Sequence, residues 1–582
     1  MDRPKVAERF NAGGPPMSDF QVTGSNANAL FTLKVHRGDG MALIAMDWKQ
    51  DKPPLDFVGF AIEYKEPGGN RFFALKNRIA FPGADGKTNP NRLSSMQSPL
   101  QKFRWVHFPR NAELAGEFVY RVTPVFMNQQ DELSFGEQQQ AALELRRETY
   151  PDQLNVTYTR GFVLSQAFVD KYKTISKLIP TKAKDGLKFV PTHPKKDEAL
   201  PWMGFEARSA ILEVLDQAIA DEDAMVRVVA YDLSEIEVVS RLERLGSRLK
   251  IIIDDAGEHG EEGSGETQSA GRLMETAGED NVKRQKMGAL QHNKTIVVDG
   301  PNLKKAVCGS TNFSWRGFYV QSNNAVILTG ESAIKPFLDA FENYWKNETV
   351  ADFGATESAA WASLGLDNID AKVSFSPHIS DNALLDGIAE DMATAESSVL
   401  FSLAFLYQTE GAIREAVKKL AKAKDIFLYG ISDKKVGGLD FQKPNGKVEP
   451  VFPSALTKNV PEPFKSEPKG GGGNRMHHKF VVIDFDKPTA RVYFGSYNFS
   501  PPADTSNGEN LLLIKDRRVA VSYMIEALRI FDHYHFRVAQ AESRKARKKL
   551  QLAKPPRKRG EKPWWSEYYS DERKIRDRKL FS

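Results

Sequence analysis

The sequence predicts an α/β protein in which two related lobes follow a small β-sandwich. Short apolar strands separated by turns fill residues 19–148, and helices alternate with strands from about residue 200 onwards. A short pattern, His-x-Lys, four residues and Asp, also occurs twice, beginning at His292 and at His477. The two histidines and the two aspartates, Asp299 and Asp484, are each 185 residues apart, so both copies keep the same register.

Length and composition predict an ordinary soluble chain of several domains. Its 582 residues are too many for a single hydrophobic core, since domains typically hold about 100 to 200 residues. The first residues, MDRPKVAERFNAGGPP, form no apolar secretion signal, and no later run approaches the roughly 20 apolar residues of a membrane span. The single cysteine, Cys308, excludes an internal disulfide and is expected to be a small core residue. We therefore expect a cytoplasmic protein.

Residues 19–148, which follow a flexible N-terminus of residues 1–18, predict a β-sandwich. Strands at this spacing, without a helical period, are typical of a sandwich, and they read FTLKVHR, MALIAMDWK, FVGFAIEYKE, RFFALKN, KFRWVHF and EFVYRVTPVF. The positions of Trp48 and Tyr120 on two of these strands resemble the core of fibronectin type III domains. Such modules serve as spacers or docking surfaces, so a protein partner is the function we expect here, and we assign the segment no chemistry.

Two α/β lobes are predicted at residues 149–348 and 371–541, with a linker at residues 349–370. In each lobe a helix, an apolar strand, a second helix and another strand follow one another, which favours largely parallel sheets covered by helices. Two loop-like inserts, residues 258–280 and 443–473, lead directly into the repeated motif. We expect them to border the active site, and surface disorder is the alternative.

The repeated motif places four kinds of polar group together in each lobe. His292 and Lys294 share one face of a strand, as do His477 and Lys479, because strand side chains alternate between faces. Each strand is followed by a Gly-Ser-x-Asn-Phe-Ser segment, which supplies a hydroxyl and a carboxamide from Ser310 and Asn312 in the first lobe and from Ser496 and Asn498 in the second.

This set of groups fits the chemistry of a phosphodiester. Lysine ammonium groups and asparagine amides can hold the non-bridging oxygens and stabilise charge at phosphorus, one imidazole can attack, and another can protonate the departing oxygen. Histidine suits both roles, since its pKa of about 6.5 lies near working pH. Two lysines supply the positive charge, so we expect neither a metal nor a cofactor.

The two copies resemble the signature of the phospholipase D superfamily, HxKxxxxD followed by GSxN, which occurs twice per active site. The resemblance covers about residues 150 to 541. It implies two lobes related by pseudo-twofold symmetry, one active site formed within a single chain, and a covalent phosphohistidine. It further implies that Asp299 and Asp484 support the motif strand rather than contact substrate.

Relatives in this superfamily carry a residue on the strand after GSxN that hydrogen-bonds the catalytic histidine. At the matching positions stand Asn323 in the first lobe and Glu509 in the second, an amide and acid combination similar to that of tyrosyl-DNA phosphodiesterases. A carboxylate stabilises an imidazolium, whereas an amide orients a neutral ring. We therefore predict His292 as nucleophile and His477 as general acid, which pairs Glu509 with His477 and Asn323 with His292. Asn324 and Asn510 are alternative orienting residues, and the neighbouring His478 is expected to be structural.

The C-terminal tail, residues 542–582, bears on the choice of substrate. Residues 541–582 contain 15 Lys or Arg and 6 Asp or Glu, so the net charge of +5 for the whole chain arises there. We predict that the tail binds nucleic acid, because bases stack on aromatic rings beside cations, through Arg557, Lys558, Arg559, Trp564 and Trp565. The alternatives are a solvated arm, packing on the body, or contact with lipid headgroups.

The predicted function is thus a phosphodiesterase acting on DNA or RNA. A phospholipase or phosphatidyltransferase acting on phospholipid headgroups is the alternative substrate class. A third hypothesis is an idle binding or scaffold protein. The presence of every motif residue weighs against that third hypothesis, because degenerate relatives usually lose one.

Overall fold

The computed structural model describes residues 20–83, 93–109, 111–145, 148–161, 168, 171–173, 175, 177–406, 409–423, 425–432, 476–545 and 550–582. The predicted N-terminal segment 1–18 and the second insert, 443–473, lie outside these residues. Within the described part of the chain, no helix combines the length and apolarity that crossing a bilayer requires.

The N-terminal region consists of short and medium strands, which are β1 (Gln21–Thr23), β2 (Phe31–Gly38), β3 (Met41–Trp48), β4 (Phe57–Lys65), β5 (Phe73–Ala74), β6 (Lys76–Asn77), β7 (Leu93–Ser94), β8 (Arg104–His107), β9 (Glu117–Met127), β10 (Leu133–Phe135) and β11 (Gln139–Glu144). One sheet has the order β1-β2-β3-β8, and a second has the order β10-β9-β4-β5 with β11 also paired to β9. Alternate residues of β2 and β9, such as Phe31, Leu33, Phe118 and Tyr120, are buried in one core that both sheets share. The region is therefore a β-sandwich.

The first lobe is built on a seven-stranded sheet with the order β12-β18-β17-β16-β13-β14-β15. Its strands are β12 (Leu154–Tyr158), β13 (Met225–Ala230), β14 (Leu249–Asp254), β15 (Val282–Gln285), β16 (Lys294–Asp299), β17 (Lys304–Gly309) and β18 (Asn324–Thr329). The helices of this part of the chain are α1 (Lys196–Ala220), α2 (Ile236–Leu245), α3 (Gly265–Ala277), α4 (Trp315–Tyr319), α5 (Glu331–Lys346) and α6 (Val350–Gly354). In α2, buried apolar residues recur three and four positions apart, and the Glu235 side chain accepts a hydrogen bond from the Val238 N–H to cap the helix.

A second seven-stranded sheet, with the order β19-β20-β25-β24-β23-β21-β22, forms the other lobe. Its strands are β19 (Ala362–Ser363), β20 (Asp370–Ser376), β21 (Ser398–Leu403), β22 (Phe427–Ile431), β23 (Lys479–Ile483), β24 (Arg491–Gly495) and β25 (Glu509–Lys515). The accompanying helices are α7 (Leu385–Ala393), α8 (Ala412–Lys422), α9 (Pro501–Thr505) and α10 (Arg517–Lys545). The motif strand, β16 or β23, lies inside each sheet and is flanked by equivalent strands, β17 and β13 or β24 and β21.

The expectation of largely parallel sheets is wrong. Parallel pairing is confined to β13 with β14, β14 with β15, and β21 with β22 among the described strands, and the remaining pairs of both sheets are antiparallel. A helix links the two strands of each parallel pair, whereas residues 300–303 alone connect β16 to β17, and so short a loop can only return the chain antiparallel. The antiparallel pairs β17–β18 and β24–β25 are also joined through a helix, so a helix between two strands does not by itself make them parallel.

The first predicted insert is ordered rather than loop-like. Residues 258–280 contain α3, whose N-terminus is capped by the Ser264 hydroxyl accepting from the Thr267 N–H. Ala270 and Leu273 of α3 are buried in the first lobe's core beside Leu242 of α2. The polar composition of the insert reflects its exposed face, and its buried apolar residues are too few for a clear period in the sequence.

The tail packs against the sandwich instead of extending from it. Trp565 is only 6% exposed and lies in the sandwich core, and the Trp564 ring stacks on Phe103 at 5.3 Å. The last helix, α11 (Glu572–Phe581), reaches the second lobe, where the Phe581 ring packs against Phe485 at 5.4 Å. The tail therefore joins the sandwich to the second lobe.

Candidate active site

Backbone pairing between the lobes aligns the two motifs. Gln291 forms a parallel bridge with Gly508, and Ser322 forms a parallel bridge with Met476. Each bridged residue immediately precedes a predicted site residue. The residue after each bridge therefore meets its partner across the lobes: His292 lies beside Glu509, and His477 lies beside Asn323.

Glu509 holds His292. The Nδ1 atom of His292 lies 2.7 Å from Oε2 of Glu509, and both side chains are buried. The carboxylate accepts a hydrogen bond from the N–H at Nδ1. Nε2 therefore keeps its lone pair and is the ring nitrogen available for chemistry. This pair joins the first lobe's histidine to the second lobe's carboxylate.

Asn323 holds His477 in the reciprocal arrangement. The Nδ1 atom of His477 lies 2.8 Å from Oδ1 of Asn323 and 3.1 Å from the Ser310 carbonyl oxygen. Both neighbours are acceptors, so Nδ1 carries a proton. The Ser310 hydroxyl donates to Asn323 Oδ1 at 3.0 Å, and Asn323 Nδ2 donates to the Gly317 carbonyl, which fixes the orientation of the amide.

The predicted pairing within each lobe is therefore wrong, and the partners are exchanged. Asn324 and Asn510, the alternatives, do not orient the rings: Asn324 Oδ1 accepts from the Ser310 N–H, and Asn510 Nδ2 donates to Asn293 Oδ1. The exchange follows from the bridges between the lobes, which strand spacing within one lobe cannot reveal. It places the centroids of the two imidazole rings 6.5 Å apart.

Each lysine is buried beside the histidine of its own motif. Lys294 donates to the His292 carbonyl, and Lys479 Nζ lies 3.2 Å from Nε2 of His477. Burial lowers the pKa of Lys294 to about 7, although Glu509 raises it in part. Burial and the neighbouring Lys294 ammonium lower the pKa of Lys479 well below its usual value. Two such ammonium groups favour an anion between them, because it restores the stabilisation that water no longer provides.

The histidines and Glu509 are also perturbed. Burial lowers the pKa of His292 and of His477 well below the usual range, and the adjacent lysines lower both further. Burial raises the pKa of Glu509 to about 8, against the opposing effects of Lys294 and the Ser496 hydroxyl. Such perturbed groups in a cluster are typical of catalytic centres.

The two motif asparagines leave polar atoms unpaired. Oδ1 of Asn312 and Oδ1 of Asn498 are buried without a hydrogen-bond partner among the described residues. Buried amide groups normally find partners. These oxygens are acceptors and cannot bond a phosphate oxygen, so the predicted phosphate contacts fall to the amide N–H groups of the same two side chains.

Three motif residues contribute to the framework. Asp484 is buried and accepts hydrogen bonds from the N–H groups of Glu396 and Ser397, which joins the motif strand to the residues before β21. Asp299 is half-buried and accepts from Lys304 at 2.5 Å across the β16–β17 hairpin. His478 bonds Glu526 at 2.8 Å on the other strand face. These contacts agree with the supporting roles expected for the two aspartates and with a structural His478.

The tail residues predicted to bind substrate contact the sandwich. Trp564 Nε1 donates to the Phe57 carbonyl at 3.0 Å, and Arg557 forms an ion pair with Asp131 at 2.5 Å. Lys558 and Arg559 are exposed in the same segment. The Trp565 ring is buried in the sandwich core and Trp564 is partly buried against it, so the structure gives Trp565 a packing role, and the substrate role of the other tail residues stays a prediction.

Sequence reasoning missed an aromatic wall beside His292. The Tyr231 ring, directly after β13, lies 4.4 Å from the His292 ring and 4.6 Å from Lys294 Nζ. Its other neighbour is His259, at 4.6 Å, which begins the first insert and so confirms that this insert borders the site. The sequence does show Tyr231 at the end of the strand VRVVAYD. An aromatic residue at a strand end is common, however, and the sequence alone does not show that His292 and His259 lie beside it.

Comparison with known proteins supports the predicted family for the lobes. Residues 215–345 and 388–531 match the family described as "Cardiolipin synthase, PLD-like domain". These two segments are therefore similar to that family, which agrees with the prediction of an enzyme of the phosphodiesterase class.

Curated relatives match a short segment. "Phospholipase D" of Rickettsia prowazekii (strain Madrid E) is 46% identical over 48 residues, and that of Rickettsia felis is 44% identical over 48 residues. Each match spans 8% of this chain and 22% of the relative. Among solved structures, phosphatidylserine synthase of Haemophilus influenzae Rd KW20 has a TM-score of 0.41 and 14% identity, covering 57% of this chain and 85% of that one.

Proposed function

We propose that the chain is a metal-independent phosphodiesterase that acts through a covalent phosphohistidine. The observation that carries the proposal is the exchanged pairing, which gives the two histidines different partners and sets their rings 6.5 Å apart, each beside a buried lysine. We also propose that the lobes are related by a pseudo-twofold axis, which is supported by the common order of their central strands.

His292 is the nucleophile in this proposal. Its Nε2 lone pair attacks phosphorus, an N–P bond forms, and the P–O bond to the departing alcohol breaks with its electron pair on oxygen. The ring becomes cationic at this step, and the Glu509 carboxylate at Nδ1 stabilises that charge. A carboxylate partner therefore suits the nucleophile. His292 keeps its predicted role, but because it is paired with Glu509 and not, as the sequence suggested, with Asn323.

His477 is the general acid and then the general base. Its Nδ1 keeps its proton, which is hydrogen-bonded to Asn323 Oδ1. The proton that is exchanged with the substrate is therefore the one at Nε2. A bound phosphate anion raises the proton affinity of a nearby ring, and the protonated His477 can then give its proton to the departing oxygen. The neutral ring next takes a proton from water, whose oxygen attacks phosphorus and releases His292 with the N–P electron pair. Lys294, Lys479, Asn312 and Asn498 hold the phosphate oxygens throughout.

The substrate is a phosphodiester of nucleic acid or of phospholipid. The prediction of DNA or RNA loses the support of the tail, whose aromatic residues pack in the sandwich. A phospholipid is the second candidate, favoured by the names of the similar family and of the Rickettsia relatives. An assay that offers both substrates separates them.

The test is turnover in EDTA of end-labelled single- and double-stranded DNA and RNA, with phosphatidylcholine and cardiolipin vesicles in parallel. His292→Ala is the catalytic variant, and Arg557→Ala, a change at the surface of the sandwich, is a purification-matched control for contaminating enzymes. Turnover that survives chelation and is lost only in His292→Ala supports the proposal. Turnover of neither substrate class by the wild type, or equal turnover by His292→Ala, contradicts it.

A further inference from the structure

Tyr231 separates two histidines, of which the motif contains only one. Its ring meets the His292 ring edge-on at 4.4 Å and 64°, and the His259 ring at 4.6 Å and 62°. Lys294 Nζ lies 4.6 Å from the same tyrosine ring. The nucleophile's ring is therefore backed by a tyrosine that in turn is backed by a second imidazole. We call these three residues the histidine–tyrosine stack.

His259 is held firmly in this stack. Its Nδ1 lies 2.8 Å from Oδ2 of Asp254, a fully buried carboxylate, and its Nε2 lies 3.9 Å from Glu266. Arg284 donates to the His259 carbonyl at 2.8 Å, which fixes the backbone of the loop. The His259 side chain is 18% exposed, so it lies at the edge of the site and remains within reach of water.

The same carboxylate fixes the backbone before the nucleophile. Oδ1 of Asp254 accepts a hydrogen bond from the Gln291 N–H at 2.6 Å, while its Oδ2 binds His259. Gln291 precedes His292 and forms the bridge to Gly508 that brings Glu509 to the ring. Asp254 thus connects His259 to the segment that sets the position of the nucleophile.

We propose that His259 is a third histidine of the active site, a positioning residue that acts on His292 through Tyr231 and Asp254. The inference rests on the proposed function. Asp254 and Tyr231 keep the His292 ring against Glu509, so that Nε2 stays aimed at phosphorus. The Tyr231 ring also holds the Lys294 ammonium, which lies over it at 4.6 Å, beside the nucleophile.

Charge on His259 adds an electrostatic effect. Hydrogen bonding to Asp254, with further effects from Glu266 and Asp232, raises the pKa of His259, although its burial opposes this. The imidazolium faces Asp254, Glu266, Asp232 and Tyr231, and it lies across the tyrosine from His292. A cation at this position favours a neutral nucleophile. Burial is the main cause of the low pKa of His292, followed by Lys294, Lys479 and His477, and His259 lowers it further.

The first experiment measures the titration of His292 directly, without substrate. NMR of the histidine-labelled full chain follows the signals of the His292 ring against pH in the wild type and in His259→Gln. A His292→Asn variant assigns those signals. We expect the His292–Glu509 pair to titrate about half a pH unit or more higher in His259→Gln, because a nearby cation has been removed. An unchanged titration overturns the inference whether or not the chain is an enzyme.

The second experiment separates the ring of Tyr231 from its hydroxyl. Tyr231→Phe keeps the ring and should retain kcat within about threefold, whereas Tyr231→Leu should lower kcat by about tenfold with KM within about twofold. Phe405→Leu, which removes a half-buried ring near Lys479 at 6.0 Å, is the matched control and should retain kcat within about threefold. Equal kcat in Tyr231→Phe and Tyr231→Leu, with both variants folded by thermal melting, overturns the role of the ring.

The two experiments also separate the two proposals. If the titration shifts in His259→Gln while the wild type turns over no phosphodiester, the proposed function fails and the coupling between the histidines stands. If the wild type turns over substrate while His259→Gln and Tyr231→Leu change neither titration nor kcat, the inference fails and the proposed function stands.

Discussion

The two copies of the motif share their His, Lys, Ser and Asn residues and differ in what surrounds the histidine. His292 is paired with the carboxylate of Glu509 and backed by Tyr231, whereas His477 is paired with the amide of Asn323. A carboxylate stabilises a ring that becomes cationic, and an amide orients a ring that must gain and lose a proton. The comparison shows that the lobes acquire different roles from residues outside the motif.

The difference also arises between the lobes rather than within either one. Each lobe supplies the partner for the other's histidine, so neither holds a complete site. An isolated lobe would leave a buried histidine and a buried acid or amide unpaired, which costs free energy. The predictions below test whether the two histidines are as different as their partners.

The largest effect is expected from exchanging each histidine for asparagine. His292→Asn should lower turnover of every substrate by at least about 10⁴-fold, because no covalent intermediate can form. His477→Asn should fail to a similar extent with natural substrates but retain the first step with a p-nitrophenyl phosphodiester, whose leaving group needs no proton. The measurement is a stopped-flow burst of nitrophenolate. A burst in His292→Asn and none in His477→Asn would reverse the assignment.

A smaller effect, mainly on pH dependence, is expected from Glu509→Gln. Burial raises the pKa of Glu509 to about 8, so the carboxylate becomes more populated as pH rises towards that value, and the rise of kcat/KM on the acid side should depend on it. Glu509→Gln should lower kcat/KM by about 10- to 100-fold and move this acid limb below the measured range, because the His292 ring alone has a low pKa. Asn323→Asp, which gives His477 a carboxylate partner, is the variant matched to Glu509→Gln, because it makes the opposite change at the partner of the other histidine. An acid limb that persists in Glu509→Gln would contradict the pairing.

The basic side of the profile should depend on Lys294. Burial lowers the pKa of Lys294 to about 7 while it raises that of Glu509 to about 8, so the Lys294 ammonium and the Glu509 carboxylate coexist in the empty enzyme mainly between these values, and kcat/KM should fall above them as Lys294 loses its charge. In the bound complex the phosphate anion favours the ammonium, so the basic limb of kcat should lie at higher pH than that of kcat/KM. Coincident basic limbs in the two profiles would show that Lys294 does not hold the phosphate.

The smallest effect on catalysis is expected from the tail. Trp564→Ala removes a ring stacked on Phe103 and should reduce stability by roughly 3 kcal/mol, while KM stays within about twofold at temperatures where the variant is folded. Arg557→Ala should change stability by less than about 0.5 kcal/mol, because its ion pair is exposed. Thermal unfolding and KM for both substrate classes check this. A raised KM for nucleic acid with unchanged stability would restore the substrate role predicted for the tail.

Sequence reasoning located the groups of the site but could not pair them. The register of the two motifs and the alternation of strand side chains were sufficient to predict that His292, Lys294, His477 and Lys479 act together. The partners could not be assigned, because the bridge between Gln291 and Gly508 joins segments more than 200 residues apart. Pairing of that kind depends on how two sheets dock, and no local periodicity records it.

The fold shows the same limit. Strand positions in the sandwich followed from alternating apolar residues, but the direction of the lobe strands depended on loop length, which the helix and strand pattern obscures. The sequence could not choose between the alternatives for the tail, because its composition, cations beside aromatic rings, suits nucleic acid and suits packing on a sandwich equally well. Trp565, buried beside apolar residues of both sheets, shows which of these the chain adopts.

The most direct test of the central claim is to map the covalent intermediate. Wild type and His477→Asn are mixed with a phosphodiester substrate, quenched in base to preserve an N–P bond, digested and analysed by mass spectrometry. We predict an adduct on His292 that is transient in the wild type, accumulates in His477→Asn and is absent from His292→Asn. An adduct on His477, or turnover by the wild type without any adduct, would contradict the division of roles between the two lobes.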